Sequence, residues 1–313
     1  MRKDELYRQS QTSQIPEKSN FHTEPIGAGL GESIRGVKLE ESLTHKTVDQ
    51  LINLLNNRQV LCFHDHELQL DELREIARIF GKPQVHPIWT GMSDCPEVIR
   101  IAKLPGEEDP LTNKPMTIAS FFEIPSKFVL IYCDEQGDSC CDYQFTSLTK
   151  AYEGLSKPMQ EFLGDLKAVH SPKLEFGPEN RKRGYFQGQT SSSLTFSDAL
   201  FEQREHPLVH VHAETGRKCL YLNEAFTRSI VGLGKEESDC LLKFLFAHCA
   251  RPEFGCRIPV RSKSLIVFDN RVTTQMITRA SLGQSRILYA MIITNEERLR
   301  SPQDCQSPTK LLI

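Results

Sequence analysis

The chain has 313 residues, enough for one large domain or two ordinary ones, and 39% apolar with 25% charged residues is an ordinary globular composition. A formal charge of −3 with both signs interspersed argues against a nucleic-acid-binding face, and no run approaches the roughly 18 apolar residues of a membrane span. The opening MRKDELYRQSQTSQ lacks the apolar core of a signal peptide, so the expected location is cytoplasmic; ten scattered cysteines without a CxxC pair are expected to be reduced packing thiols.

Residues 1–20 are polar and read as a disordered tail. Thr44 is placed to cap a helix whose apolar stripe is Val48, Leu51, Ile52 and Leu55. Short β-rich runs follow at 59–64 (QVLCFH), 98–102 (VIRIA) and 128–133 (FVLIYC), with a second helix between the first two that carries Leu73, Ile76, Ala77 and Phe80 and stops at Gly81. The stretch 171–205, rich in Ser, Gly, Lys and Arg, reads as a long irregular excursion, either a lid or disordered, with Arg181-Lys182-Arg183 as a solvated cluster. Further strands are expected at KCLYLN (218–223), SLIVF (264–268) and RILYAMIIT (286–294), and a third helix from about Glu236 to His248, closed by Pro252. Residues 298–313 read as a weak C-terminal extension. Many short strands with a few helices predict a mainly β fold with peripheral helices (α+β), a jelly-roll barrel over 21–297 rather than a doubly wound parallel sheet.

Several segments resemble the taurine dioxygenase family, the iron(II)- and 2-oxoglutarate-dependent oxygenases. They are HPLVHVHAETGRKCLYLNEAFTRSIVGLGKEESDCLLKFLFAHCARPEFGCR (206–257), FDNRVTTQ (268–275) and GQSRILYAMII, with IGAGLGESIRGVKL, RQVLCFHDHEL, FGKPQVHPIW and LTKAYEGLSKPMQEFL in the N-terminal half. The resemblance implies a double-stranded β-helix core and a His-x-Asp pair with a distal His on iron, leaving coordination positions open for oxoglutarate and oxygen. In this chain SFFEIP (120–125) is the landmark following the His-x-Asp pair, which puts Met116 at the His position and Ile118 at the Asp position; Gln275 falls at the distal His. Arg286 keeps the register as the arginine that grips the far carboxylate of oxoglutarate. Tyr143 maps onto an oxoglutarate-holding threonine, Ala290 onto a sulfonate-binding arginine, and His86, in VHPIW with Trp89, onto a substrate-side histidine.

That mapping leaves a thioether, an alkyl group and a neutral amide where iron needs imidazole and carboxylate, so no metal or oxoglutarate cofactor is expected. One charge-assisted bond from Arg286 contributes roughly 1.5–3 kcal/mol, against roughly 8 kcal/mol for micromolar binding. Two answers stay open for Arg286 itself: an internal acidic partner, or a small carboxylate bound without metal. Three other groupings carry metal-binding residue types. His206, His210 and His212 are expected not to ligate, His64-Asp65-His66-Glu67 reads as a solvated turn, and Cys133, Cys140, Cys141 and Asp142 lack a second pair at zinc spacing. The expectation is a catalytically degenerate relative retained as a binding or interaction module. The alternative is an enzyme, with relocated ligands or with His86, Tyr143 and Arg286 acting without metal. A homo-oligomer is compatible with either.

Overall fold

The computed structural model describes residues 21–86, 88–106, 114–136, 141–176, 202–278 and 284–305. Its N-terminal half contains β1 (His22–Pro25), β2 (Glu32–Arg35), α1 (His45–Arg58), β3 (Val60–Phe63), α2 (Leu70–Phe80), β4 (Pro83–Gln84), β5 (Ile99–Lys103), β6 (Phe128–Gln136), β7 (Asp142–Ser147), α3 (Leu148–Glu153) and α4 (Lys157–Leu163). There follow β8 (Lys167–His170), α5 (Lys173–Phe176), β9 (Arg204–Pro207), β10 (Val209–Val211), β11 (Lys218–Leu220), β12 (Thr227–Ile230), α6 (Lys235–Cys249), β13 (Gly255–Pro259), β14 (Ser264–Asp269), β15 (Thr273–Ile277) and β16 (Arg286–Ile293).

Period-2 alternation explains why the central strands are buried throughout. In β6, Phe128, Leu130 and Tyr132 face one way and Val129, Ile131 and Cys133 the other; β14 divides Leu265 and Val267 from Ile266 and Phe268. These strands sit in the sheet order β1-β2-β3-β14-β6-β16-β4, with β5 also on β16, and all pairs but β2–β3 are antiparallel. One face packs against α1 and α2 through Leu51, Leu55, Leu73, Ile76 and Phe80. The other meets a smaller sheet, β13-β7-β15, through Tyr143, Phe145, Ile258 and Ile277. Two facing sheets with helices outside make the jelly-roll core that the strand count predicts.

The helices follow their sequence signals closely. Thr44 caps α1 by accepting a hydrogen bond from Thr47 N, and the buried stripe is Thr47, Leu51 and Leu55, with Val48 and Ile52 at its edge. Glu72 reaches back to the Gln69 N–H in a capping box, and α2 ends at Gly81, whose φ of 141° suits glycine. Two expectations change. The 64–67 turn is not simply solvated: His66 is buried, 2.7 Å from the Glu40 carboxylate, and its carbonyl accepts from the Tyr132 hydroxyl. The 171–205 excursion is ordered at both ends, as α5 and as β9; residues 177–201, which include Arg181-Lys182-Arg183, lie outside the described residues.

The turn Asp269-Asn270-Arg271 joins the layers. Asp269 N donates to Gln59 O beyond α1, and Asn270 N donates to Lys127 O before β6. The Asp269 carboxylate, fully buried, accepts from Arg271 Nε (3.0 Å) and Nη2 (2.6 Å), and His212 Nε2 lies 3.0 Å away. Glu214 and Lys127 extend the network, with Arg271 Nη1 2.9 Å and Lys127 Nζ 2.8 Å from Glu214. Burial alone would raise the Asp269 carboxyl, but the Arg271 guanidinium and His212 outweigh it and hold it well below the usual carboxylate range. Removing one partner of such a pair strands the other in a dry interior. Asp269→Asn is therefore expected to destabilise the protein by about 3–5 kcal/mol, read as a lower urea midpoint; an unchanged midpoint would show the network to be dispensable.

Candidate functional site

The site is built where the two sheets and one connecting segment meet. The segment 115–122 crosses the end of the minor sheet, and backbone bonds hold it there. Met116 N donates to Gln275 O (2.9 Å) and Gln275 N to Met116 O (2.8 Å), an antiparallel bridge that extends β15. Thr117 Oγ1 donates to Thr273 O at 3.0 Å. Asn270 then clamps the next residue from both sides: its Oδ1 accepts from Ile118 N and its Nδ2 donates to Ile118 O, each 2.8 Å. Ala119 takes a left-handed φ of 54° to turn the chain toward Phe121.

The result is an apolar cavity of about 80 Å³. Met116, Ile118 and Gln275 line it together, with Tyr143 from β7, Ile99 and Ile101 from β5, Val129 and Ile131 from β6, and Ala290 and Ile292 from β16. Its remaining wall is aromatic: Phe121 packs on Phe226 at 5.0 Å between ring centroids, Phe226 on Phe176 at 5.7 Å, and Phe176 on Trp89 at 6.0 Å. Asn223 seats that wall, accepting from Phe226 N and donating to the Ser120 hydroxyl, which stands 3.0 Å from His170 Nδ1. Tilted against Phe122, His86 completes the lining. Its Nδ1 accepts from Ile88 N and Trp89 N, so its proton sits on Nε2, and burial pushes the imidazole down to about 3.

Of the residues the sequence singled out, Met116, Ile118, Gln275, Tyr143, His86, Trp89 and Ala290 converge on this cavity. Arg286 does not line it. On β16 it shares the inward face with Leu288 and Ala290, about 13 Å along the strand from Ala290, fully buried, with Nη1 3.7 Å from Cys141 Sγ. His86 and Tyr143 are part of the cavity lining, whereas Arg286 is fully buried on the same inward face of β16 beyond it. Phe121, Phe176 and Phe226 were missed. Phe176 sits at the start of the apparent excursion, where only its aromatic character could have marked it.

The other histidines are engaged elsewhere. His210 Nε2 donates to Arg271 O at 2.8 Å, and His212 joins the Asp269 network. Both line a larger cleft of about 860 Å³ with Lys82, Lys127, Glu214, Arg271 and residues 294–300, in which Lys127 and Arg271 pair with Glu214. Cys141 donates to Gln136 Oε1 at 3.4 Å, and Cys140 lies outside the described residues. Among the described residues, no group of three or more His, Cys, Asp or Glu is placed to hold a metal ion, and no helix is long and apolar enough to cross a membrane.

The profile of the family described as "Taurine catabolism dioxygenase TauD, TfdA family" matches residues 22–274. The chain belongs to this family. Its relatives include the alpha-ketoglutarate-dependent sulfonate dioxygenase of Saccharomyces cerevisiae, 29% identical over 254 residues, or 77% of this chain and 59% of the relative. The chain thus spans less than two thirds of that protein. The alpha-ketoglutarate-dependent sulfate ester dioxygenase of Pseudomonas putida is 25% identical over 90% of this chain and 92% of its own. Among solved structures, a taurine dioxygenase from Burkholderia xenovorans superposes with a TM-score of 0.75 at 27% identity, covering 91% of this chain and 94% of that one. For the TauD/TfdA family, iron(II) and 2-oxoglutarate are the implied cofactors. A Met thioether, an Ile side chain and a Gln amide do not fit that metal, since a soft thioether and one neutral oxygen give a divalent iron neither charge nor enough donors.

Buried neutral histidines make a pH dependence measurable. Burial holds His86 at about 3 and His206 and His210 at about 4, and pushes His170 well below its ordinary value. In the unfolded chain each takes a proton near pH 6.5, so below that pH the unfolded state binds more protons. Stability is therefore complete above about pH 6.5 and falls on acidification by up to about 1.4 kcal/mol per pH unit per histidine. Urea midpoints measured from pH 7.5 to 5 are expected to decline steadily; a flat profile would show these rings to be charged or solvated.

Proposed function

We propose that this chain is a catalytically degenerate member of the TauD/TfdA family that does not hold iron in the usual way and keeps its barrel as a ligand-binding module. The observation that carries the reading is the Met116–Gln275 bridge with Ile118 beside it on the cavity wall. On this reading the bridge carries the positions of a metal site, and Met116, Ile118 and Gln275 offer no imidazole or carboxylate there. Without iron, oxoglutarate loses its chelating partner, and Arg286 lies outside the cavity lining. The sulfonate and sulfate ester chemistry of the relatives is not carried over either, because Ala290 presents a methyl group to this cavity.

The competing reading is an active enzyme, with ligands drawn from elsewhere or with no metal, and it draws on His86 and Tyr143 at the cavity. One experiment separates the two: metal analysis of protein purified without chelator, paired with an oxoglutarate-dependent succinate assay. The expected outcome is iron far below one equivalent and no succinate above background; stoichiometric iron with succinate release would establish the enzyme. A second test is constructive. Met116→His, Ile118→Asp and Gln275→His made together are expected to give iron(II) binding that none of the three gives alone. A folded triple variant that still takes up no iron would place these positions outside a metal-site frame.

A further inference from the structure

The cavity also constrains what it accepts, and this inference rests on the reading that it holds no iron. No Asp, Glu, Lys or Arg side chain is part of its lining, so a charged guest would surrender its hydration without a counter-charge. The wall does carry hydrogen-bond donors. His86 is 6% exposed, and its Nδ1 already accepts from the Ile88 and Trp89 N–H groups, which puts the ring proton on Nε2. That N–H has no partner among the described residues and is not enclosed by protein, so it opens onto the cavity the ring lines. Trp89 adds an indole N–H, which can only donate. Strong acceptors are closed off. Gln275 Oε1 is enclosed by protein, and His86 Nδ1 is taken. A donor left unpartnered in a dry interior is costly and is satisfied by an acceptor brought in from outside.

We propose that the cavity is a binding site for a short uncharged aldehyde, whose carbonyl oxygen accepts from His86 Nε2 and whose alkyl end lies among Ile118, Ile131 and Phe226. An aldehyde brings an acceptor and no donor, which complements this wall. An alcohol would need an acceptor for its own O–H as well, and the two strongest on the wall, Gln275 Oε1 and His86 Nδ1, are enclosed or occupied. A carboxylate would meet no cation. Size sets the length. An apolar cavity of about 150 Å³ takes benzene, so on the same scale 80 Å³ holds about three heavy atoms, the size of acetaldehyde. Even acetone is larger. So small a guest binds weakly, with a dissociation constant of about 1 mM at best.

A series of probes of one size tests this: acetaldehyde, propene, ethanol and formate, titrated at neutral pH while the methyl resonances of Met116, Ile118 and Ile131 and the Nε2–H signal of His86 are followed by NMR. No lysine lines the cavity, so imine formation at the surface does not reach these signals. Acetaldehyde is expected to give saturable shifts at every one of them, with about fivefold tighter binding than propene, the worth of one net hydrogen bond. Ethanol and formate are expected to bind more weakly than acetaldehyde. His86→Phe is expected to erase the preference for acetaldehyde over propene while leaving propene binding in place. Absence of saturable shifts with acetaldehyde, or propene, ethanol or formate binding as tightly, would overturn the proposal. Because those comparisons use the wild-type chain, a misfolded His86→Phe would not shelter it. Iron measured on the same samples keeps the two readings apart. Stoichiometric iron refutes the metal-free reading, whereas iron-free protein indifferent to acetaldehyde refutes only the aldehyde.

Discussion

The turn Asp269-Asn270-Arg271 is the constraint on which the rest of the structure depends. A carboxylate with no solvent exposure, held by a guanidinium two residues on, survives only because every lone pair meets a donor. Meeting that demand brings β10 and its histidines against the end of β14, and draws Glu214 and Lys127 to the same place. The neighbouring Asn270 uses the fixed position to grip the backbone of Ile118 across the mouth of the barrel. Fold and site thus share one anchor.

Much of the fold was legible because the strongest elements carry redundant signals. Strands β3, β6 and β14 read as continuous apolar runs since both of their faces are covered. Helix α1 announces its start through Thr44 and α2 its end through Gly81, whereas the Gln69–Glu72 box that opens α2 emerged only in the structure. Strands β7 and β15 were harder. In DYQFTS only Tyr143 and Phe145 are apolar, and in TTQMI the buried positions are largely threonine and glutamine, so hydrophobic periodicity is too short to register. His66 was misjudged for a different reason: its partner Glu40 is distant in sequence, and ion pairs across a fold leave no periodic trace.

The site divides in the same way. The positions of Met116, Ile118, Gln275, His86 and Trp89 were readable only through the resemblance to the family, and they meet in one cavity. What spacing does not carry is depth. Arg286 and Ala290 lie on one face of one strand, yet four residues of extended chain separate their backbones by about 13 Å, and only Ala290 is part of the lining. Phe176 enters from a segment whose composition suggested no structure, because a single aromatic anchor among polar residues does not change a composition.

The frame around the cavity is made almost wholly of backbone atoms, and this decides what the sequence was free to change. Asn270 bonds to the N–H and C=O of Ile118, not to its side chain, and the Met116–Gln275 bridge is likewise main chain to main chain. The Met116 and Ile118 side chains take no part in these bonds and instead add apolar contact with Phe121 and Phe226. A segment held through its main chain keeps its course whichever side chains project from it, so the chemistry of the cavity wall and the shape of the barrel are set by different atoms.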